Sequence, residues 1–323
     1  MRRWERRPGR CMAPDPYVQP NGTLRNRLGI ADADELSQRE ADLSRARLFL
    51  IETEGPQGPF DFERLKATHR YIFHDVYDWA GEPRTTNLYK REYDGGPLAA
   101  FTTPDEIAPR AARIFTALEH HNQLQGLDRE TFSRQAADLF AGINALHPFR
   151  EGNGRTQRAF IEALAGEAGH ELDFSVISKE RMIEASVQAS KRQPDMMRRM
   201  FAEISDPERV RPLGEALRFL AGIKEVGGKP FDWNELYVAT TTPGQRYDGR
   251  LVGWQGENFL MRQDGHLFVG WTADLPESAQ RGAPVSFVAS GLRGQAPAHG
   301  AAKTEPPSES DVDPVRPHRN RPR

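Results

Sequence analysis

The sequence predicts a mainly α chain that passes into a small all-β part and then a disordered tail. Three observations predict it. Apolar residues recur at a helical period across most of residues 30–223. After Gly227-Gly228 they give way to short β-prone runs separated by turn residues. Beyond Ser290 the chain is Gly, Pro, Ala, Ser and charge, which cannot build a core. At 323 residues about two domains are expected. The division reads as a disordered basic leader (1–16), a helical domain (17–205), a connecting helix and linker (206–228), a small OB-like β-barrel (229–290) and the tail (291–323).

The leader crowds Arg2, Arg3, Arg6, Arg7 and Arg10 before Met12, with Pro14, Pro16 and Pro20 behind, and resists packing. Met12 is an alternative first residue. Leu36, Leu43, Ala46, Leu48 and Leu50 give Asp34–Glu54 a helical stripe, which Gly55, Pro56, Gly58 and Pro59 end. Asp61 is placed to cap a second helix carrying Phe62, Leu65, Ile72 and Phe73. Residues Thr85–Thr103, with Gly95, Gly96 and Pro97 between short β-prone pieces, read as a hairpin or flap. Helices follow over Asp105–Asn122, Asp128–Leu146 and Asn153–Ala168, the last ended by Gly169, then over Lys179–Ala189, Asp195–Ile204 and Val210–Ile223. Strands are expected at Leu236–Thr240, Gly249–Trp254, Asn258–Arg262, His266–Trp271 and Pro284–Ala289, with Asp264-Gly265 as a hairpin turn. Tyr247, Trp254, Phe259 and Trp271 are expected in the β core.

Composition excludes several classes. A net charge of −2 excludes a globally basic nucleic-acid binder, and Arg246, Arg250, Arg262 and Arg281 are a thin supply for a nucleic-acid groove on the β domain, so nucleic acid is not an expected partner. The single cysteine, Cys11, excludes a disulfide framework and a Cys-rich zinc site. No apolar run approaches the roughly 20 residues of a membrane span, and the N-terminus lacks an apolar signal core, so the bacterial cytoplasm is the expected compartment.

One stretch carries chemistry: His147-Pro148-Phe149-Arg150-Glu151-Gly152-Asn153-Gly154-Arg155-Thr156-Gln157-Arg158. A helix must stop near Pro148, because the residue before proline avoids the α region. The next begins near Asn153, so the loop lies between two helix ends. Gly152, Asn153 and Gly154 then present amides where a helix N-terminus leaves N–H groups unpaired, a ready anion site. Arg155 and Arg158, three apart, share one helix face and offer planar forks for phosphate oxygens. Glu151 beside such a site would repel a phosphate unless Mg²⁺ bridges the two. His147 is the one side chain there that takes a proton near neutral pH. Phe149 is placed to anchor the loop to the core. Each element alone is commonplace: a Gly-Asn-Gly turn, a solvated arginine pair, a structural histidine. Together they suit phosphoryl or nucleotidyl transfer. Neither G-x-x-x-x-G-K-[ST] nor a G-x-G-x-x-G after a strand is present.

This segment resembles the Fic-domain motif H-P-F-x-[D/E]-G-N-G-R-x-x-R at every specified position. Tyr77-Asp78-Trp79-Ala80-Gly81 with Arg84 is similar to the Fic segment before the flap, and Asn21–Ile30 to its lead-in, so the resemblance covers roughly residues 17–205. The layout, a Fic helical domain with a β-hairpin flap followed by a small β domain, resembles host-targeted effectors of the Bartonella type. The resemblance implies transfer of AMP from ATP to a Ser, Thr or Tyr hydroxyl of a target protein, with release of pyrophosphate. It implies that His147 deprotonates the hydroxyl and that Glu151 holds Mg²⁺ on the α- and β-phosphates. Gly152, Asn153 and Gly154 would cradle phosphates, Arg155 would meet the β-phosphate region and Arg158 the γ-phosphate. The flap residues Asn87, Leu88, Tyr89, Lys90, Arg91 and Glu92 would dock an extended target segment as an added strand, with the last three as selectivity contacts.

Many Fic proteins carry an inhibitory helix with [S/T]-x-x-x-E-[G/N]. Here Glu54-Gly55 follows Leu50, Glu257-Asn258 follows Gly253, and Glu151-Gly152 is the loop itself. The expectation is a small antitoxin-like partner that inhibits in trans by pairing its Glu with Arg158. Two other readings stay open: a related Fic chemistry moving a phosphate or another nucleotide, and a silent Fic-fold adaptor. Gly154 disfavours the kinase-like variants, which carry Lys there, and intact His147, Glu151 and Arg158 disfavour the adaptor. The basic, disordered tail with Arg316, Arg319, Arg321 and Arg323 reads equally as a type IV translocation signal into a recipient or host cell and as a solvated end.

Overall fold

The computed structural model describes residues 15–91, 98–226 and 229–290. The leader's first fourteen residues, Glu92 and the flap tip with Gly95, Gly96 and Pro97, the Gly227-Gly228 link and the tail from 291 on lie outside the described residues. The chain divides into two compact units, one gathering Met1–Leu172 and Ser186–Phe201, the other Asp173–Ala185 and Ala202–Arg323.

In the first unit, α1 (Ala33–Glu54) begins at Asp32, whose carboxylate accepts from the amides of Asp34 and Glu35. Asp61 caps α2 (Phe62–Phe73) by accepting from Arg64 N–H at 2.8 Å. Such caps satisfy N–H groups that the helix leaves unpaired and are worth about 1 kcal/mol each. β1 (Tyr89–Arg91) pairs antiparallel with β2 (Leu98–Ala100), Tyr89 opposite Ala100, so the expected hairpin forms. α3 (Pro104–His120) starts one residue earlier than the pattern indicated: Thr103 stands at the cap and Pro104 in the first turn, where a missing N–H costs nothing. α4 (Arg129–Leu146) is capped by Asp128, and α5 (Asn153–Glu167) follows the candidate loop.

The buried stripe of α1 differs from the expected one. Leu50 and Ala46 are exposed, and Leu43 and Leu48 are half-buried. The fully buried residues are Leu36, Glu40 and Ser44, spaced by four. A carboxylate and a hydroxyl on that face reflect a polar partner waiting across it, which sequence periodicity does not reveal. Leu36 joins Ile72, Phe73, Val76, Tyr77, Ala80 and Ala159 in one apolar cluster.

α6 (Lys179–Ser190) and α7 (Asp195–Ile204) run through both units. In the second, Asp206 caps α8 (Pro207–Ala221). A short antiparallel pair, β3 (Glu225–Val226) and β4 (Lys229–Pro230), precedes β5 (Val238–Thr240), β6 (Arg246–Gln255), β7 (Asn258–Gln263), β8 (His266–Trp271) and β9 (Pro284–Val288). The five form one sheet in the order β5-β8-β7-β6-β9, with β5 parallel to β8 and the rest antiparallel. Asp264 and Gly265 both take positive φ, 52° and 84°, the geometry a two-residue hairpin needs. Tyr247 and Phe259 are in the core, as expected. Trp254 is not: it is 42% exposed, and Trp271 is half-buried. Both lie beside the Gly256-Glu257 turn, Trp254 opposite Phe259 and Trp271 opposite Asn258. Arg181 and Glu203, both buried, pair at 3.0 Å, and Glu203 accepts from Thr240 N–H, so a charged pair ties helical residues of this unit to β5.

Candidate active site

The loop is held from both ends. α4 stops at His147, which adopts left-handed backbone (φ 46°, ψ 60°) while its N–H still reaches Ile143 O at 3.0 Å. Pro148 prevents another helical turn. α5 starts after Gly152, also left-handed (φ 81°, ψ 3°). A Cβ on Gly152 would lie 2.4 Å from the Phe73 ring, so glycine is required by backbone and by space. Asn153 closes the loop: its Oδ1 accepts from Phe149 N–H at 2.9 Å and its Nδ2 donates to Phe149 O at 2.7 Å. Its side-chain amide is therefore engaged by the loop. The Asn153 and Gly154 amides belong to the first turn of α5 and have no intrahelical partner. Gly154 is exposed, and a Cβ added there would meet nothing within 4 Å, so its backbone is open to a ligand.

Three residues that the loop's own sequence does not contain fix it. His69, fully buried, accepts from Gly81 N–H at Nδ1 (2.7 Å), and its Nε2 lies 2.9 Å from Glu151 O. With Nδ1 accepting, Nε2 carries the proton and donates to that carbonyl. Burial lowers the imidazole to about 3, which keeps it neutral. Its ring stacks on Phe149 at 3.9 Å. Phe149, 1% exposed, is the expected anchor, and His69 is what it anchors to. Arg84, 1% exposed, donates from Nε to His147 O at 2.8 Å, from Nη1 to Thr86 O and from Nη2 to Thr102 O. Its amide reaches Pro148 O at 2.8 Å. Burial among carbonyls lowers its pKa to about 10, still charged at neutral pH. Arg150 pairs with Asp15 at 3.0 Å.

The candidate side chains sit on this frame. His147 is nearly buried, with its ring stacked face-on at 3.8 Å against Phe101, the residue after β2. Glu151 Oε1 accepts from Gly152 N–H at 3.0 Å. Arg155 donates from Nη1 to Ser44 Oγ at 2.8 Å and from Nη2 to Glu40, and lies 3.9 Å from Glu151 Oε1. Its guanidinium carbon stands 4.6 Å over the Phe73 ring. Arg158 is half-buried, and among the described residues no hydrogen bond or ion pair to it is found; burial lowers its pKa, with Glu162 as an opposing charge. In the flap, Leu88 is buried, Asn87 exposed and Tyr89 half-buried; Tyr89, Lys90 and Arg91 form β1. Glu92 lies outside the described residues.

The backbone arrangement, an amide-lined turn leading into a helix whose first turns carry two arginines, suits an anion, and His147 opens the same loop. A model of the Fic/DOC family matches residues 59–165. A protein adenylyltransferase of Bartonella henselae is 36% identical over 277 residues, 82% of this chain and 50% of that protein. The solved structure of the type IV secretion system effector protein BepA superposes with a TM-score of 0.72 at 33% identity, over 85% of this chain and 96% of that one. The chain belongs to the Fic/DOC family. The BepC structure of Bartonella tribocorum, with bound AMPPNP, matches at a TM-score of 0.53 and 31% identity over 59% of this chain and 96% of that one. This Fic chain spans half the length of the curated Bartonella henselae relative. Among its described residues, no helix is long and apolar enough to cross a membrane.

Sequence reasoning passed over His69, Glu40 and Ser44. The signals were present: His69 stands between Leu65 and Phe73 at spacing four on an apolar stripe, and Glu40 and Ser44 continue the stripe of Leu36. A polar residue repeating in phase with buried neighbours marks a hydrogen-bonded interior position.

Proposed function

We propose that this chain transfers AMP from ATP to a Ser, Thr or Tyr hydroxyl of a target protein and releases pyrophosphate. The observation that carries the reading is the pairing of an amide-lined helix start with Arg158, a half-buried guanidinium that makes no hydrogen bond or ion pair among the described residues. A half-buried guanidinium with no hydrogen bond among the described residues has donors to spare, and a phosphate supplies acceptors for them. The nucleotide's outer phosphates would meet Arg158 and the Asn153 and Gly154 amides, leaving the α-phosphorus toward His147. The target oxygen would then bond to that phosphorus as its proton passes to the His147 imidazole, and the bond to the β-phosphate oxygen breaks. Stacking on Phe101 and the Arg84 bond to its carbonyl hold the imidazole in place; such base help is worth about 10²–10⁴-fold. The names of the relatives, protein adenylyltransferase and an AMPPNP-bound effector, support ATP as donor.

Mg²⁺ fits the donor set in one way. Among the described residues no group of three or more His, Cys, Asp or Glu is arranged to hold a metal ion. Glu151 as single carboxylate suits a cation that completes its shell with phosphate oxygens and water. When bound it would offset the charge that builds on the leaving pyrophosphate.

The flap would align the target as an added strand beside β1, and the name of the BepA relative supports a translocated effector's role. The same open Arg158 supports inhibition in trans by the carboxylate of a small antitoxin-like partner. The test is lysate labelling: α-labelled ATP should mark target proteins, γ-labelled ATP should not, and His147→Ala should abolish the label while ATP binding persists. Transfer of the γ-label, or undiminished transfer by His147→Ala, refutes the assignment.

A further inference from the structure

The proposal rests on the nucleotide reading above and concerns α1, which lies before the 59–165 region that the family model matches. Arg155 does not reach into the loop unaided. Glu40 Oε1 accepts from its Nη2, Ser44 Oγ accepts from its Nη1 at 2.8 Å, and the Phe73 ring lies beneath it. Glu40 is fixed in turn, its other oxygen accepting from Tyr77 Oη, whose ring stacks on Trp79 at 4.2 Å. Glu40, Ser44 and Tyr77 are all buried, whereas the Arg155 side chain keeps 23% of its surface exposed. Burying a carboxylate and a hydroxyl on a helix face that leucines could fill is a cost, and among the described residues the charged group these two reach is the Arg155 guanidinium.

Donor counting decides what the contact does. A guanidinium has five N–H groups in a rigid plane. Glu40 and Ser44 take one each and leave three. Two fixed bonds on a planar group, with an aromatic ring beneath, set the direction of the rest. Glu151 Oε1 stands 3.9 Å from the same Nη2. A free arginine side chain would fold onto that carboxylate or wander into solvent, losing rotamer entropy only when a ligand arrives.

We infer that Glu40 and Ser44 of α1 are positioning residues that hold Arg155 oriented toward the nucleotide's β-phosphate region, making the N-terminal helix part of the nucleotide site. The pair holds the arginine before the ligand arrives, so the ligand does not have to order it. The competing role is a plain interhelical ion pair that joins α1 to α5 and leaves nucleotide affinity alone.

The experiment is a double-mutant cycle on the full chain, using Glu40→Gln, Arg155→Gln and the double variant. Calorimetric titration with ATP, ADP and AMP, each with magnesium, supplies the readout beside thermal melting. Glu40→Gln should weaken ATP and ADP by about tenfold and leave AMP within about twofold, and the loss should vanish in the Arg155→Gln background, because contacting residues are non-additive. Ser44→Ala should show the same pattern at about threefold, and it decides the matter if Glu40→Gln does not fold. Equal or tighter ATP binding by both variants overturns the proposal, as does an ATP loss that persists without Arg155. Failure of the underlying reading looks different: the unmodified chain itself shows no affinity for ATP with magnesium.

Discussion

Gly152→Ala tests the link between loop backbone and core. Two separate terms act on it. At φ 81° an L side chain costs about 1 kcal/mol relative to glycine. The added Cβ would also fall 2.4 Å from the Cε2 and Cζ atoms of Phe73 and 3.1 Å from its Cδ2. Phe73 has no exposed surface and lies against His69 and beneath Arg155, so it has no open side to yield into. Overpacking of that kind costs about 1–3 kcal/mol. The sum is about 2–4 kcal/mol, and it should appear as a lowered urea midpoint with unchanged slope in far-UV circular dichroism. Phe73→Leu separates the terms, because leucine lacks Cε2 and Cζ. In that background Gly152→Ala should cost about 1 kcal/mol, the backbone term alone. Additive costs, or a Gly152→Ala variant within about 0.5 kcal/mol of the parent, would refute the reasoning.

Two further outcomes follow from the buried groups that frame the loop. Arg84→Lys should lose about 2–4 kcal/mol, because one ammonium cannot serve three carbonyls fixed in different directions, and should slow the proposed AMP transfer through loosened His147; equal melting temperatures would dismiss the clamp. His69 is held neutral with its pKa down to about 3, whereas in the unfolded chain it titrates near its ordinary value of about 6.5. Between those values the unfolded state binds the extra proton, so stability should fall on acidification, by at most about 1.4 kcal/mol per pH unit from this group. Urea titrations without nucleotide or magnesium at pH values from about 6 down to 4 should show that slope, and His69→Gln should flatten it; a slope indifferent to the substitution contradicts a buried neutral imidazole.

How much was legible depended on how local the cause was. Helix positions followed from apolar periodicity and, for α2, from the cap Asp61, because a cap and its helix are neighbours in sequence. The β5–β9 run followed from short β-prone runs between turn residues and from Asp264-Gly265. The candidate loop was legible almost whole, since its helix break, its left-handed glycine and its arginines lie within twelve residues. What stayed hidden was which polar side chains face inward. Trp254 looked like core and is 42% exposed; Glu40, which the expected apolar stripe left out, is buried.

The sequence alone determined the element order, the position of the phosphate-suited turn and the kinds of group it offers, because those depend on φ/ψ preference, period and residue chemistry within a few turns of chain. Only the tertiary structure decided that Arg155 is held by α1 while Arg158 is left without such a hold, and that His69 and Arg84 secure the carbonyls of Glu151 and His147. The reason is physical: a buried donor or acceptor must find its partner wherever packing brings one, here 111 residues away for Arg155 and Ser44, and no local pattern encodes a meeting at that separation.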